Sequence, residues 1–237
     1  IIEIPSNCIL LATSSLGDNT VHSIPQHTVE VAHSLDIFIA ERAKTARHFL
    51  KALQTPVAFN DMTFYELNKK TPPEDVAHFL KDAENGKNVG LLSEAGCPGV
   101  ADPGAVIVQL AHQKGIEVIP LVGPSSILLA LMASGMNGQS FAFVGYLGVK
   151  KGDRIRDLKR LEQLARKLNQ TQIFIETPYR NMSLIEDMLT GLSPRTRLCI
   201  AANLTLPTEY IKTKTIQEWK KTKLPELHKQ PAIFLIL

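Results

Sequence analysis

Short apolar runs alternate along this chain with segments whose apolar residues recur every three or four positions. The runs predict strands and the periodic segments predict amphipathic helices. The predicted strands are residues 9–12, 37–40, 89–92, 116–121, 141–144, 172–175, 198–202 and 232–237. The predicted helices are residues 29–35, 45–53, 73–84, 105–114, 127–134, 153–168 and 182–189. This alternation predicts an α/β fold with a largely parallel sheet.

The two halves of the chain differ in charge. Residues 1–120 carry a net charge of −5, and the remainder carries +8, within a total of +3. The sign changes beside the Pro-Leu-Val-Gly-Pro segment 120–124, so we expect two α/β domains, 1–120 and 121–237. A basic second half favours a polyanionic partner for that domain.

Composition and spacing exclude several classes of protein. No apolar run approaches the roughly 20 residues of a membrane helix, and no basic leader precedes an apolar stretch, so a cytoplasmic location without membrane contact is expected. The three cysteines form no C-x-x-C pair and the seven histidines are scattered, so no metal site is expected. The sequence patterns of common dinucleotide folds, P-loop nucleotidases and serine hydrolases are absent.

Segment 93–104, Ser-Glu-Ala-Gly-Cys-Pro-Gly-Val-Ala-Asp-Pro-Gly, directly follows a predicted strand. Glycine adopts backbone angles closed to other residues and proline fixes its own, so such a loop can hold main-chain amides against a ligand. A tight connection between a strand and a helix is the alternative interpretation. A second Gly/Pro segment follows the strand ending at Leu121, where Ser125 or Ser126 is expected to cap the next helix. Two such loops at strand ends can converge on one ligand.

Two further polar segments follow predicted strands in the second half. Glu176-Thr-Pro-Tyr-Arg180 places an acid, a hydroxyl, an aromatic ring and a guanidinium within five residues. Together they are interpreted as a third wall of a site, although each alone is compatible with a cap or an ion pair. Asn203 and Thr205 follow the next strand and are also compatible with turn residues.

A run of cations beginning at Lys150 is the main basic feature of the second half. It comprises Lys150, Lys151, Arg154, Arg156, Lys159, Arg160, Arg166 and Lys167. Leu158, Leu161, Ala165 and Leu168 form an apolar stripe, so the cations are predicted to occupy the outer face of the helix. Such a face is either solvated or binds phosphate.

Five segments in fixed order identify a family resemblance. They are SEAGCPGVADPG (93–104), PLVGPSSILLALMASG (120–135), FAFVGYLGVKKGDR (141–154), IFIETPYR (173–180) and AANLT (201–205). This succession covers most of the chain and resembles the tetrapyrrole-methylase superfamily. Within it, the chain resembles the branch that methylates a cytidine ribose 2′-oxygen in small-subunit ribosomal RNA.

The resemblance implies an S-adenosylmethionine-dependent methyltransferase that forms a homodimer and binds RNA. It also implies two α/β domains with the methyl donor in the cleft between them. The positions that match donor-contacting residues of the family are Gly96, Cys97, Pro98, Val100, Ser125, Ser126, Glu176, Thr177, Ala202 and Ala232.

Three segments depart from the pattern of the ribosomal RNA branch. Residues 12–19 read Ala-Thr-Ser-Ser-Leu-Gly-Asp-Asn where that branch has Gly-Thr-Pro-Ile-Gly-Asn. Residues 41–44 read Glu-Arg-Ala-Lys in place of Glu-Asp-Thr-Arg, and residues 204–206 read Leu-Thr-Leu in place of Leu-Thr-Lys. The departures fall on the acceptor side, so a tetrapyrrole or other small molecule is an alternative acceptor. A relative that binds RNA or protein without catalysis is a third hypothesis.

Methyl transfer from a sulfonium is an in-line displacement that depends mainly on alignment of the acceptor with the methyl group. A ribose hydroxyl must also lose its proton, which favours a nearby base. Glu41, Lys44, Glu94 and Asp102 are candidates for that catalytic group by their location, and the sequence does not choose between them.

Overall fold

Two five-stranded sheets organise this chain, one in each half. The computed structural model describes residues 5–17 and 20–237. Contacts divide the chain into two compact units, Ile1–Ser125 and Ser126–Leu237, and each is described by itself.

The first unit is built on a parallel sheet. Its strands are β1 (Cys8–Ala12), β2 (Ile37–Ala40), β3 (Thr63–Glu66), β4 (Val89–Leu92) and β5 (Glu117–Pro120), in the order β3-β2-β4-β1-β5. Its helices are α1 (Gln26–His33), α2 (Ala43–Ala52), α3 (Pro73–His78), α4 (Lys81–Glu84) and α5 (Ala105–Lys114). Every pairing in this sheet is parallel. The strands β2 and β4 are buried at all positions, as expected for strands covered on both faces.

Helices cover both faces of this sheet. Residues of α1 and α2 belong to a core with Leu10 and Phe38 on one face. Residues of α3, α4 and α5 belong to a core with Ile9 and Ile39 on the other face. The chain therefore changes faces at β3, and β4 then inserts between β2 and β1.

The second unit has a mixed sheet. Its strands are β6 (Phe141–Tyr146), β7 (Thr171–Ile175), β8 (Arg197–Ala202), β9 (Tyr210–Thr215) and β10 (Ala232–Ile236), in the order β6-β7-β10-β8-β9. Its helices are α6 (Ser126–Ser134), α7 (Lys151–Leu168), α8 (Asn181–Gly191) and α9 (Ile216–Trp219). Strands β6 and β7 pair in parallel, whereas the other three pairings are antiparallel.

The core of the second unit surrounds β10, whose five residues are all buried. Phe234 of β10 stacks against Phe174 of β7 with ring centroids 6.1 Å apart. Trp219 is completely buried, and its indole nitrogen donates to the Leu198 carbonyl at 2.9 Å. A buried tryptophan requires such a partner, because its N–H is otherwise desolvated without compensation.

The α/β fold class is confirmed, but parts of the prediction are wrong. The all-parallel sheet is confined to the first unit, because three of the four pairings in the second unit are antiparallel. The predicted helix 73–84 is interrupted after His78 and continues as α4 from Lys81. The edge strands β3 and β9 were not predicted, because both carry polar residues and neither is an apolar run. The domain boundary near residue 120 remains a prediction.

Helix α7 differs from the prediction at two positions. Arg154 is buried rather than on the outer face, and Leu168 is 51% exposed rather than part of the apolar stripe. Arg154 donates through Nε to Asp187 Oδ2 at 2.7 Å and through Nη1 to the Val149 carbonyl at 3.0 Å. The buried Asp187 carboxylate supplies the charge that allows Arg154 to lie inside.

This buried pair predicts a specific loss of stability. We expect Asp187→Ala to lower the free energy of unfolding by about 3 kcal/mol, because it leaves the buried Arg154 guanidinium without its counter-charge. The exposed pair of Asp153 with Arg156 is the matched control on the same helix. Asp153→Ala is expected to cost less than about 1 kcal/mol. Urea unfolding measures both, and equal losses would contradict the assignment.

Candidate functional site

The carboxyl ends of the parallel strands meet at one edge of the first unit's sheet. The connections after β1 and β2 cover one face, and those after β3 and β4 cover the other. Ligands of open α/β sheets bind outside the carboxyl ends of the strands where the connections diverge in this way. The segments that follow β1, β2, β4 and β5 are therefore the candidate site of this unit.

Ser14, two residues after β1, connects to the loop 93–104. The Ser14 amide donates to the Gly96 carbonyl at 2.9 Å, and the Gly96 amide donates back to Ser14 at 3.2 Å. The Ser14 hydroxyl donates to the Ser93 carbonyl at 2.9 Å, and the Ser93 hydroxyl donates to Gly96 at 2.8 Å. Gly96 has φ +75, and a Cβ there would lie 3.1 Å from Leu16 Cδ2. The loop therefore has a defined position against β1.

Asp102 organises the second half of the same loop. Its Oδ1 accepts from the Gly99 amide at 2.7 Å and from the Gly104 amide at 2.8 Å. Burial raises the pKa of the Asp102 carboxyl, and the carboxylate of Glu41 adds to the increase; the two amides act in the opposite direction without cancelling it. Asp102 therefore holds the turn that leads into α5.

The segment after β5 packs against this loop. The Cys97 thiol donates to the Pro124 carbonyl at 3.7 Å, and the Thr13 hydroxyl donates to the Leu121 carbonyl at 3.0 Å. A Cβ on Gly123 would lie 2.4 Å from Thr13 Cβ, so a residue without a side chain is required there. The structure thus brings together the two Gly/Pro loops that the sequence singles out.

A cavity of about 400 Å³ lies beside these loops. Its lining comes from the segments after β1 and β4 and from α2, and comprises Ser14, Ser15, Leu16, Gly17, Val21, Thr45, Ala46, His48, Phe49, Lys51, Ala52, Ser93, Glu94 and Ala95. Glu94 Oε2 accepts from the Thr45 hydroxyl at 3.3 Å and lies 3.7 Å from Arg42 Nε. The volume is in the range of small-molecule sites.

The other catalytic candidates have different surroundings. Glu41 directly follows β2 and lies with Asp102 at a smaller crevice. Lys44 is exposed on α2. Of the departing segment 12–19, Asp18 and Asn19 lie outside the described residues. Among the four candidates, Glu94 lines the larger cavity.

The second unit brings four predicted residues to one edge of its sheet. Ala202 pairs with Ala232 across β8 and β10, and Ile175 pairs with Ile233 across β7 and β10. Glu176 and Thr177 directly follow β7, so they lie beside the start of β10. Pairing of distant strands therefore brings together Glu176, Thr177, Ala202 and Ala232.

Glu176 is the buried charge of this edge, with a side chain only 1% exposed. Its Oε1 accepts from Arg180 Nη2 at 2.6 Å and from the Thr177 amide at 2.6 Å. Burial opposes ionisation, but the hydrogen bonds and charge of these partners outweigh it and lower the pKa of Glu176. Glu176 Oε2 is buried without a hydrogen-bond partner. Leaving such an atom unpaired costs about 1–3 kcal/mol.

Asn203 and Thr205 adopt left-handed backbone conformations, with φ +51 and +72. The Asn203 side chain donates to Gln230 Oε1 at 2.7 Å, and the Thr205 amide donates to Glu209 Oε2 at 2.9 Å. These contacts agree with the interpretation of both as turn residues.

The remaining predicted positions lie at loops and helix starts. Gly96 and Pro98 are buried, Cys97 is half-buried and Val100 is 47% exposed. Helix α6 begins at Ser126, so Ser125 occupies the position directly before it.

The polar residues of α2 that line the cavity were not predicted from the sequence. Thr45 and His48 are one helical turn apart on a helix that follows a strand, which is the signal that would have found them. Within residues 5–17 and 20–237, no group of three potential metal-ligating side chains occurs. Over the same residues, no helix is both long and apolar enough to span a bilayer.

Solved structures share this fold. Diphthine synthase aligns over 97% of this chain and 89% of its own length, with a TM-score of 0.65 and 14% identity. A uroporphyrin-III C-methyltransferase from Thermus thermophilus, complexed with S-adenyl homocysteine, aligns over 97% and 96%, with a TM-score of 0.57 and 18% identity. At these identities the likeness establishes the fold alone.

Protein relatives are more similar in sequence. Ribosomal RNA small subunit methyltransferase I of Synechocystis sp. is 30% identical over 88% of this chain and 70% of its own length. The protein of that name from Vibrio cholerae is 32% identical over 86% of this chain and 66% of its own length. This chain thus spans about two thirds of these relatives.

The sequence profile described as Tetrapyrrole (Corrin/Porphyrin) Methylases matches residues 16–220. The match includes the loop 93–104, the start of α6 and the segment after β7. It confirms the predicted resemblance and the predicted class of enzyme, a methyltransferase. The chain belongs to the tetrapyrrole (corrin/porphyrin) methylase family.

Proposed function

We propose that this protein transfers a methyl group from S-adenosylmethionine to a ribose 2′-oxygen of small-subunit ribosomal RNA. The observation that carries the proposal is the match, over more than four fifths of the chain, to relatives named ribosomal RNA small subunit methyltransferase I. The net charge of +8 after residue 120 supports a polyanionic acceptor. The structurally similar uroporphyrin-III C-methyltransferase, solved in complex with S-adenyl homocysteine, supports the choice of methyl donor.

We propose that residues of both units contact the methyl donor. In the first they are Gly96, Cys97, Pro98, Val100 and Ser125, and in the second they are Ser126, Glu176, Thr177, Ala202 and Ala232. The residues present fit the donor: Glu176 Oε2 is a buried acceptor without a partner, suited to a hydroxyl or amine of the ligand. The positive φ angles at positions 96 and 99 favour glycine, which leaves the loop surface without side chains there.

The donor supplies an electrophilic methyl group, so the chain's main task is to align the acceptor oxygen with it. Loops held by hydrogen bonds at both ends provide such alignment, because little reorganisation is required on binding.

We propose Glu94 as the group that accepts the proton of the ribose hydroxyl. It lines the 400 Å³ cavity, whereas Asp102 uses its Oδ1 to hold two amides and Lys44 extends from the surface of α2. Glu41 is the remaining carboxylate, and its neighbour is Asp102 rather than the cavity. The Thr45 hydroxyl and the Arg42 guanidinium orient Glu94.

A tetrapyrrole or another small molecule is the second candidate acceptor. The departures at residues 12–19, 41–44 and 204–206 favour it, because they fall in segments that distinguish the ribosomal RNA branch. Turnover of either acceptor would exclude a purely binding role.

The proposal extends to assembly and location. We propose that the two units are domains that meet in segment 120–125, and that the protein acts in the cytoplasm as a homodimer. Large apolar side chains exposed in the second unit support association with a second copy; they include Leu128, Met132, Phe141 and Val149.

The direct test is transfer of labelled methyl groups to RNA from a strain that lacks this gene, followed by mapping of the modified nucleotide. We expect one labelled ribose in small-subunit RNA and no labelled product with tetrapyrroles.

Cys97→Trp is expected to abolish both methyl transfer and the donor binding measured by calorimetry, because the bulky indole occupies the space beside the loop where the donor is proposed to bind. Cys97→Ser keeps a small side chain whose hydroxyl can donate a hydrogen bond to the Pro124 carbonyl, so this variant should still bind S-adenosylmethionine. Donor affinity in a folded Cys97→Trp variant would move the site elsewhere.

Replacement of the proposed base tests the chemical step. Glu94→Gln is expected to lower kcat by about 10²- to 10⁴-fold while the dissociation constant for the donor stays within about twofold. Glu41→Gln is the matched variant and should retain most of the activity. A reversed pattern would assign the proton transfer to Glu41.

The lowered pKa of Glu176 predicts that the stability of the fold depends on pH. Its pKa is lower in the folded protein than the ordinary value of 4.5, so ionised Glu176 stabilises the fold above that value. This contribution is lost as the pH falls through the folded pKa. We therefore expect Glu176→Gln to lower Tm near neutral pH and the difference from the unsubstituted protein to vanish in acid. A difference in Tm that is constant from neutral to acidic pH would contradict this.

A further inference from the structure

Two exposed tyrosines lie close to an arginine, a lysine and a histidine at one edge of the second unit. Tyr179 is 69% exposed and Tyr146 is 58% exposed, although tyrosine is on average intermediate in burial. With Arg180, His228 and Lys229 they form what we call the Tyr179 surface.

Direct contacts connect the members of the Tyr179 surface. The His228 ring meets Tyr179 edge-on, with centroids 6.1 Å apart. Lys229 Nζ lies 6.0 Å from the centre of the Tyr179 ring. Tyr146 pairs with Ile175 across β6 and β7, which places it beside the start of the segment that carries Arg180, and the Arg180 side chain is about one third exposed.

The backbone beneath the surface is firmly held. The Lys229 amide donates to the Pro178 carbonyl at 3.0 Å, which joins the two loops. The buried Asn181 side chain donates to the Gln230 carbonyl at 2.6 Å. Lys229 has φ +60, a conformation that a lysine adopts only when its surroundings impose it.

Tyr146 reaches the surface through an irregularity in the edge strand. The pairing of β6 with β7 shifts register between Phe143 and Tyr146, and Gly145 between them has φ +69. A bulge of this kind redirects the following side chain. Both tyrosines are therefore presented by rigid backbone rather than by mobile segments.

Exposed rings flanked by cations match the chemistry of unpaired RNA. Bases stack on aromatic side chains without regard to sequence, and neighbouring cations neutralise the phosphates. The cations of the α7 run offer charge alone, and three of them, Arg156, Arg160 and Arg166, already face carboxylates on that helix. The Tyr179 surface combines both chemistries within a unit of net charge +8.

We propose that the Tyr179 surface binds an unpaired base and adjoining phosphates of the RNA substrate. Tyr179 stacks on the base, while Lys229 and Arg180 contact the phosphates on either side. This inference rests on the proposed function and names where the substrate binds. The residues Glu176 and Thr177, proposed to contact the donor, immediately precede Pro178 and Tyr179 in the same loop.

Fluorescence anisotropy with labelled small-subunit ribosomal RNA fragments, unpaired and fully paired, tests the inference. Tyr179→Ala is expected to weaken binding of the unpaired fragment about tenfold, whereas Tyr179→Phe keeps the ring and binds normally. Lys229→Gln should reduce the slope of the logarithm of the binding constant against the logarithm of salt concentration by the amount expected for the loss of about one phosphate contact. Lys221→Gln, an exposed lysine beside Trp219 at the opposite end of β8, is the matched control.

Donor affinity by calorimetry and thermal melting show whether each variant is folded, and both should match the unsubstituted protein. Normal RNA affinity in folded Tyr179→Ala would overturn this inference and leave the proposed function intact. A changed oligomeric state with normal RNA affinity would assign the surface to a second copy and also overturn it. Absence of RNA binding by the unsubstituted protein would overturn the proposed function and this inference together.

Discussion

The reciprocal hydrogen bonds between Ser14 and Gly96 are the constraint on which the first unit's site depends. They join the segment after β1 to the loop after β4, two neighbouring parallel strands whose connections leave on opposite faces. Glycine is required at position 96 because φ is positive and Leu16 lies close. Once this loop is placed, Cys97 meets Pro124 and Glu94 faces the cavity. The proposed alignment of methyl donor and acceptor therefore starts from a main-chain contact rather than from a reactive side chain.

Buried charge organises the second unit in a comparable way. Arg154 and Asp187 neutralise each other between α7 and α8, and Glu176 is held by Arg180. Both pairs satisfy the rule that a charge enters the interior only with a partner. They differ in completeness, because Glu176 keeps one buried oxygen without a hydrogen-bond partner. An incomplete network costs stability, so its presence beside a sheet edge agrees with a role in binding.

The sequence predicted most of the elements, including the edge strands β5 and β6, and lost accuracy at the other edge of each sheet. Fully buried strands such as β4 are recognised because every residue is apolar or glycine. The edge strands β3 and β9 contain Glu66, Lys212 and other polar residues, since one side of an edge strand faces solvent. Arg154 was placed on the wrong face because its partner Asp187 is 33 positions away in the chain. Helical periodicity contains no information about such a partner.

The sequence by itself determined the α/β class, the family and the positions of the Gly/Pro loops. These depend on local properties: apolar periodicity, backbone freedom and motif order, all of which can be read along the chain. Only the tertiary structure decided which distant residues meet. Strand pairing placed Ala202 beside Ala232, and loop contacts placed Glu94 at the cavity and Asp102 in the turn before α5. The physical reason is that a parallel or mixed sheet is held together by contacts between residues far apart in sequence. The candidate sites lie at the ends of strands that are paired in this way.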